Sequence, residues 1–245
     1  MPNNPTLHDL QHPGLLEPEE HGHGHHHHPF LQHHFEDMGQ QHEASTLGMW
    51  FFVAQEILFF GGLFCAYFIY REMYPAAWHA GSKLQHWQIG AANTIVLIGS
   101  SLTMALAVWG AQGARRKFTT AMLVLTLILG SIFVGVKGYE YREHFHEGLF
   151  PGAHFTYHHG DPALLPGIQM FMTFYFTMTG LHALHMIIGA GLLLWFIRRS
   201  WRGDFGPEYY GPVEIMGLYW HFVDIVWIFL FPLLYLLGAN LPPLG

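Results

Sequence analysis

Glu56, Glu140, His182, His185, His221 and Asp224 lie within or at the ends of long apolar stretches of this sequence. An ionisable side chain at membrane depth costs about 2.5–3.5 kcal/mol on insertion scales, so each needs a partner or a function. Glu56 stands about ten residues into the first stretch, with Phe52, Val53, Phe59 and Phe60 one turn away. Such surroundings disfavour the carboxylate, and a neutral carboxyl is expected, still in need of a hydrogen-bond partner. It can serve as a buried acid packed on another helix, as a proton-linked group, or as a contact to lipid or a partner. His182 and His185 are three apart and share a helix face. Two such imidazoles can ligate a metal, but a catalytic zinc needs a third ligand. Hydrogen bonding between helices is the simpler reading. His221 and Asp224 repeat the i, i+3 spacing between Trp220 and Trp227, and the carboxylate is expected to accept from the imidazole and fix its tautomer. Glu140, between Tyr139 and Tyr141, is expected at the membrane interface, paired with Arg142 or Lys137.

The elements that carry these residues follow from composition. The chain has 245 residues, of which 51% are hydrophobic and 11% charged, against about 25% charged in soluble chains. The apolar residues fall in five runs, at about 47–70, 89–111, 119–136, 167–197 and 213–237. Each is long enough to cross ~30 Å of hydrocarbon as a helix, which satisfies its own backbone. The expected fold is all-α: an integral membrane bundle of five transmembrane helices, residues 45–240, behind a polar tail, residues 1–44. Ser45 or Thr46 is the expected first cap, and Pro232 should kink or fray the last helix. Small residues such as Gly61-Gly62, Gly99-Ser100-Ser101, Gly130-Ser131 and Gly189-Ala190-Gly191 allow close helix packing.

The tail holds five prolines and eleven of the 21 histidines and cannot bury enough apolar surface to order, so disorder is expected. Its run His25, His26, His27 and His28 is a weak candidate metal-binding tract. The first 45 residues have no apolar signal-peptide core. With Cys65 as the one cysteine, no intrachain disulfide and no cysteine metal cluster can form. The net charge of −7 comes largely from residues outside the runs and gives no reason to expect nucleic acid. Lys and Arg concentrate after the second run (Arg115, Arg116, Lys117) and the fourth (Arg198, Arg199, Arg202). That places the tail in the cytoplasm and the C-terminus on the opposite side. Trp50, Trp78, Trp87, Trp109, Trp195, Trp201 and Tyr209 are expected to form interfacial belts.

Several segments resemble one family. Tyr219-Trp-His-Phe-Val-Asp-Ile-Val-Trp227 is similar to the last-helix motif of cytochrome c oxidase subunit III, and this motif is highly specific. Gly180-Leu-His-Ala-Leu-His-Met-Ile-Ile-Gly189 resembles its penultimate helix. Glu56, Asn93-Thr94 and Glu140 fall, in the family's order, where it carries an intramembrane glutamate, a helix start and a closing glutamate. The match runs from about 47 to 238 and resembles the short bacterial form with five helices rather than the mitochondrial seven. Lys137 departs from the glutamine common there.

The resemblance implies a subunit without haem or copper of its own. It docks on oxidase subunit I, beside subunit II and smaller subunits, whose haem a and copper reduce dioxygen and drive proton pumping. It binds phospholipid, sustains proton uptake and protects subunit I. Glu56, His182, His185, His221, Asp224 and Glu140 carry over as its lipid, proton and packing contacts. The location implied is a bacterial inner membrane, C-terminus periplasmic. Its near rivals are subunit III of a quinol oxidase and a nitric-oxide-reductase accessory protein. A standalone proton-coupled or metal transporter would show internal repeats and broken helices, and the sequence shows neither. A haem protein in its own right would need histidines on facing helices.

Overall fold

A computed structural model describes residues 34–152, 155 and 162–236; His25, His26, His27 and His28 lie outside them. Five long helices are apolar enough to cross a membrane. They are α1 (Met38–Met73), α3 (Trp87–Gln112), α4 (Arg116–His146), α5 (Leu165–Arg202) and α6 (Gly211–Phe231), with a short α2 (Pro75–Lys83) between α1 and α3. Among the described residues there is no strand.

The helices outrun the apolar stretches, because hydropathy marks where lipid begins while capping marks where a helix begins. The cap of α1 is Asp37, whose side chain accepts from the Gln40 amide at 2.7 Å. Ser45 and Thr46, the expected caps, lie inside the helix, and the Ser45 hydroxyl donates to the Gln41 carbonyl. The segment 38–44 is therefore helical. The C-terminal end of α5 is set by Gly203, at φ 90°, a left-handed position where a Cβ would be strained. Its 38 residues make α5 about 57 Å long, well beyond the hydrocarbon layer.

Pro232, lacking an N–H, opens the end of α6 into a wider π-helical turn, Pro232–Leu236. Tyr67 of α1 donates to the Leu233 carbonyl of this turn at 2.6 Å, and Tyr235 points inward, fully buried. The α2 helix, between the first two apolar runs, buries Ala77 and Trp78 against α5 and starts on Pro75. Trp78 is thus a core residue; of the expected belt, Trp50, Trp87, Trp109, Trp195 and Trp201 are exposed.

In the bundle α3 lies along α4, α4 along α5, and α6 packs among α1, α3 and α5. The two indoles of α6 occupy its centre. A Cβ on Gly130 or Gly189 would come within 2.8–2.9 Å of Trp220 or its neighbour Tyr219, so both positions need a bare backbone. Trp220 donates to Ser100 at 3.1 Å, and Trp227 to Thr94 at 2.9 Å. These bonds fix the α3–α6 register in a medium that offers indole N–H groups no water.

Candidate functional site

The polar groups of the membrane region gather in separate places. Glu56 of α1 meets His185 of α5, with Oε2 3.3 Å from Nε2. The other ring nitrogen, Nδ1, is 2.8 Å from the Leu181 carbonyl. A carbonyl only accepts, so Nδ1 must carry a proton. Nε2 is the ring atom that faces Glu56, and Glu56 Oε2 approaches it without forming a hydrogen bond to any group. Phe60 stands 5.7 Å from the imidazole, and Tyr219 donates to the His185 carbonyl at 2.8 Å.

The second cluster is larger than the sequence suggested. Lys137 and Glu140, on the inner face of α4, are both almost fully buried. Lys137 Nζ gives its three protons to Glu140 Oε2 at 2.9 Å, Tyr175 Oη at 3.0 Å and Tyr235 Oη at 2.6 Å. Both tyrosines then donate to Glu140 Oε1, at 2.8 and 2.6 Å. The ammonium also lies over the rings of Trp227, Tyr175 and Tyr235. Every ammonium proton and both carboxylate oxygens are used, the condition a buried ion pair needs. Glu140 is therefore buried inside the bundle, and of the two expected partners it pairs with Lys137. Tyr175 and Tyr235 come from α5 and the turn after α6 and were not picked out beforehand; the available signal was Tyr235 following Pro232.

His182 does not join His185. Its ring is fully buried between Phe133 and Trp227, with centroids 5.4 and 5.2 Å away, and neither nitrogen has a hydrogen-bond partner. His221 and Asp224 also stay apart, against expectation. His221 Nδ1 instead pairs with Ser101 Oγ of α3 at 2.7 Å. Asp224 is buried and faces the Ser101 hydroxyl of α3. The α3 helix brings the Ser101 hydroxyl to His221 in place of Asp224. Among the described residues no three His, Cys, Asp or Glu converge as metal ligands do.

A groove of about 790 Å³ opens at the start of α4. Arg116, Lys117, Thr120 and Trp201 line one end, and Val124, Leu125 and Ile128 continue it along the helix.

The family model for cytochrome c oxidase subunit III matches residues 30–239, the whole bundle. The chain belongs to the cytochrome c oxidase subunit III family. Its relatives include a cytochrome c oxidase subunit 3 of Thermostichus vulcanus, 32% identical over 82% of this chain and 92% of that protein. A probable cytochrome c oxidase subunit 3 of Nocardia farcinica is 30% identical over 78% and 86%. A haem-copper oxidase subunit I+III of Aeropyrum pernix is 31% identical over 77% of this chain, which spans only 22% of that protein's length. The expected subunit III family and five-helix form are thus both met.

Proposed function

We propose that this chain is a non-catalytic core subunit of an aerobic respiratory haem-copper cytochrome c oxidase, which passes electrons from cytochrome c to dioxygen and pumps protons. In this reading haem a and copper sit in partner subunits, and this chain braces subunit I and sustains its proton uptake. The observation that carries the reading is the family match over nearly the entire bundle. The Aeropyrum pernix relative, named as subunits I and III in one chain, supports close placement of this subunit beside subunit I.

The Glu56–His185 pair supports the proton-linked part of the reading. A carboxyl and an imidazole facing each other within apolar spans are the kind of paired ionisable groups that proton-linked sites use. The groove beside α4 supports phospholipid binding, because cationic side chains and a tryptophan stand at one end and aliphatic ones along the rest. The surplus of Lys and Arg after α3 and α5 supports a multi-pass orientation with the N-terminus in the cytoplasm of a bacterial inner membrane.

Isolation of the chain from its native membrane in mild detergent, with optical spectra and metal analysis, tests this. Co-purification of a-type haem and copper on other polypeptides is expected. A chain that purifies alone, and either carries its own redox centre or moves a solute in liposomes, would overturn the assignment.

A further inference from the structure

The groove at the start of α4, about 790 Å³, is larger than the two grooves beside α6, of about 290 and 210 Å³. Its two ends differ in chemistry. Arg116, Lys117, Thr120 and Trp201 stand at one end, Val124, Leu125 and Ile128 continue it, and no acidic side chain borders it. The cationic end is held in place by α5. The Arg116 side chain lies over Gly203, the left-handed cap of α5, where a Cβ would come within 3.3 Å of the guanidinium. A helix C-terminus carries partial negative charge and favours a cation there. Thr120 ties α4 to α5 at the same level: its hydroxyl donates to the Arg116 carbonyl at 2.9 Å and lies 2.8 Å from the Ser200 hydroxyl. Trp201 of α5, 74% exposed, closes this end from the other side.

Length decides between occupants. Arg116 and Ile128 are twelve residues apart on α4, about 18 Å along the helix, which is a headgroup level plus one half of a ~30 Å hydrocarbon layer. A transmembrane helix of another protein would need a seat through both halves, and this groove stops midway along α4. An acyl chain of one leaflet, with its head at the cationic end, fits both the length and the order of the chemistry. Two cations with no acid beside them attract a net negative headgroup and repel the ammonium of a zwitterionic one.

We propose that the α4 groove is a selective site for an anionic phospholipid, its phosphate on Arg116 and Lys117 and one acyl chain along Val124, Leu125 and Ile128. The proposal rests on the reading of this chain as a phospholipid-binding subunit and adds the headgroup charge and the residues that read it.

The test uses the full chain in the complex with which it purifies, placed in phosphatidylcholine vesicles holding equal traces of phosphatidylglycerol and phosphatidylethanolamine. In paired samples one or the other trace lipid carries a mid-chain diazirine, and adducts are mapped by peptide mass spectrometry after irradiation. At Val124, Leu125 and Ile128 the anionic probe should exceed the zwitterionic one about twenty-five-fold, since about 1 kcal/mol per cation is about five-fold for each of two. At Ile98 of α3, 54% exposed beside a groove without Lys or Arg, the ratio should be near one. Arg116→Gln and Lys117→Gln should each lower the α4 ratio about five-fold. Arg198→Gln, exposed on the same side but outside the groove, should leave it unchanged. Equal labelling by both probes on α4, or a ratio that neither groove variant moves, overturns the proposal and leaves unselective phospholipid binding in place. Absence of any α4 lipid adduct removes the site and the lipid-binding reading together, and haem and copper in the same preparation then still uphold the subunit role. Should a groove variant fail to insert, the α4 ratio of the parent chain against its Ile98 ratio decides the matter.

Discussion

Lys137 and Glu140 are one turn apart on α4, and without each other both would be uncompensated charges in a low-dielectric interior. Removing one partner of such a pair costs about 3–5 kcal/mol, whereas replacing both with apolar residues of similar volume is often neutral. Lys137→Met alone and Glu140→Gln alone are therefore expected to lower thermal stability in detergent sharply, and the double variant Lys137→Met, Glu140→Met should recover most of the loss. Equal stability of Lys137→Met and the parent would show that the pair is dispensable. At the Glu56–His185 pair the expectation differs. Glu56→Gln keeps a polar group of the same size facing Nε2 and should leave the fold and assembly intact, because the amide N–H can donate to that nitrogen. Loss of assembled complex on a native gel would show that a negative charge at Glu56 is required. Glu56, Glu140 and His185 were all visible in the sequence as polar letters in apolar text. Tyr175 and Tyr235 were not, because their value comes from meeting a lysine 38 and 98 residues distant, and no local pattern encodes that convergence. The His221–Asp224 pairing failed for a related reason. Sequence spacing offered the nearest partner on the same helix, while the bundle brought Ser101 in from another.

At the scale of elements, contact between helices is decided as much by what is missing as by what is present. Gly130 of α4 and Gly189 of α5 each lie against the aromatic wall of α6, whereas Gly135 of α4 has nothing within 4 Å of the position a Cβ would take. Gly130→Val is expected to overpack the Trp220 ring and destabilise by about 1–3 kcal/mol. Gly135→Ala, at a helix-interior position in open space, should leave stability unchanged or raise it slightly. Melting of the three proteins side by side in detergent checks this. A Gly130→Val protein as stable as Gly135→Ala would mean that α4 can shift away from α6 at little cost. The long helices were legible because runs of about twenty apolar residues have no other stable form in lipid. Helix α2 was not, since its nine residues form no long apolar run. It is helical because Trp78 and Ala77 find a buried seat on α5, which is tertiary packing overriding weak local preference.

At the scale of the whole molecule, the five crossings constrain where the loops lie. With an odd number of spans, the segments before α1, between α3 and α4, and between α5 and α6 share one side of the membrane, and those between α1 and α3 and between α4 and α5 share the other. The first group holds Arg115, Arg116, Lys117, Arg198, Arg199 and Arg202, and under the proposed orientation, in which positive residues stay inside, it faces the cytoplasm. Gly113, exposed in the turn after α3, is a suitable reporter once the native Cys65, which is exposed in the α1 span, is replaced by serine. In that background Gly113→Cys should react with a membrane-impermeant maleimide in inverted membrane vesicles and stay unlabelled in intact spheroplasts. A cysteine at Lys83, exposed at the end of α2 on the other side, should show the reverse. Labelling of Gly113→Cys from the outside would invert the molecule. It would then place the α4 groove, with Arg116 and Lys117, at the leaflet that lacks the anionic surface those two side chains are suited to meet.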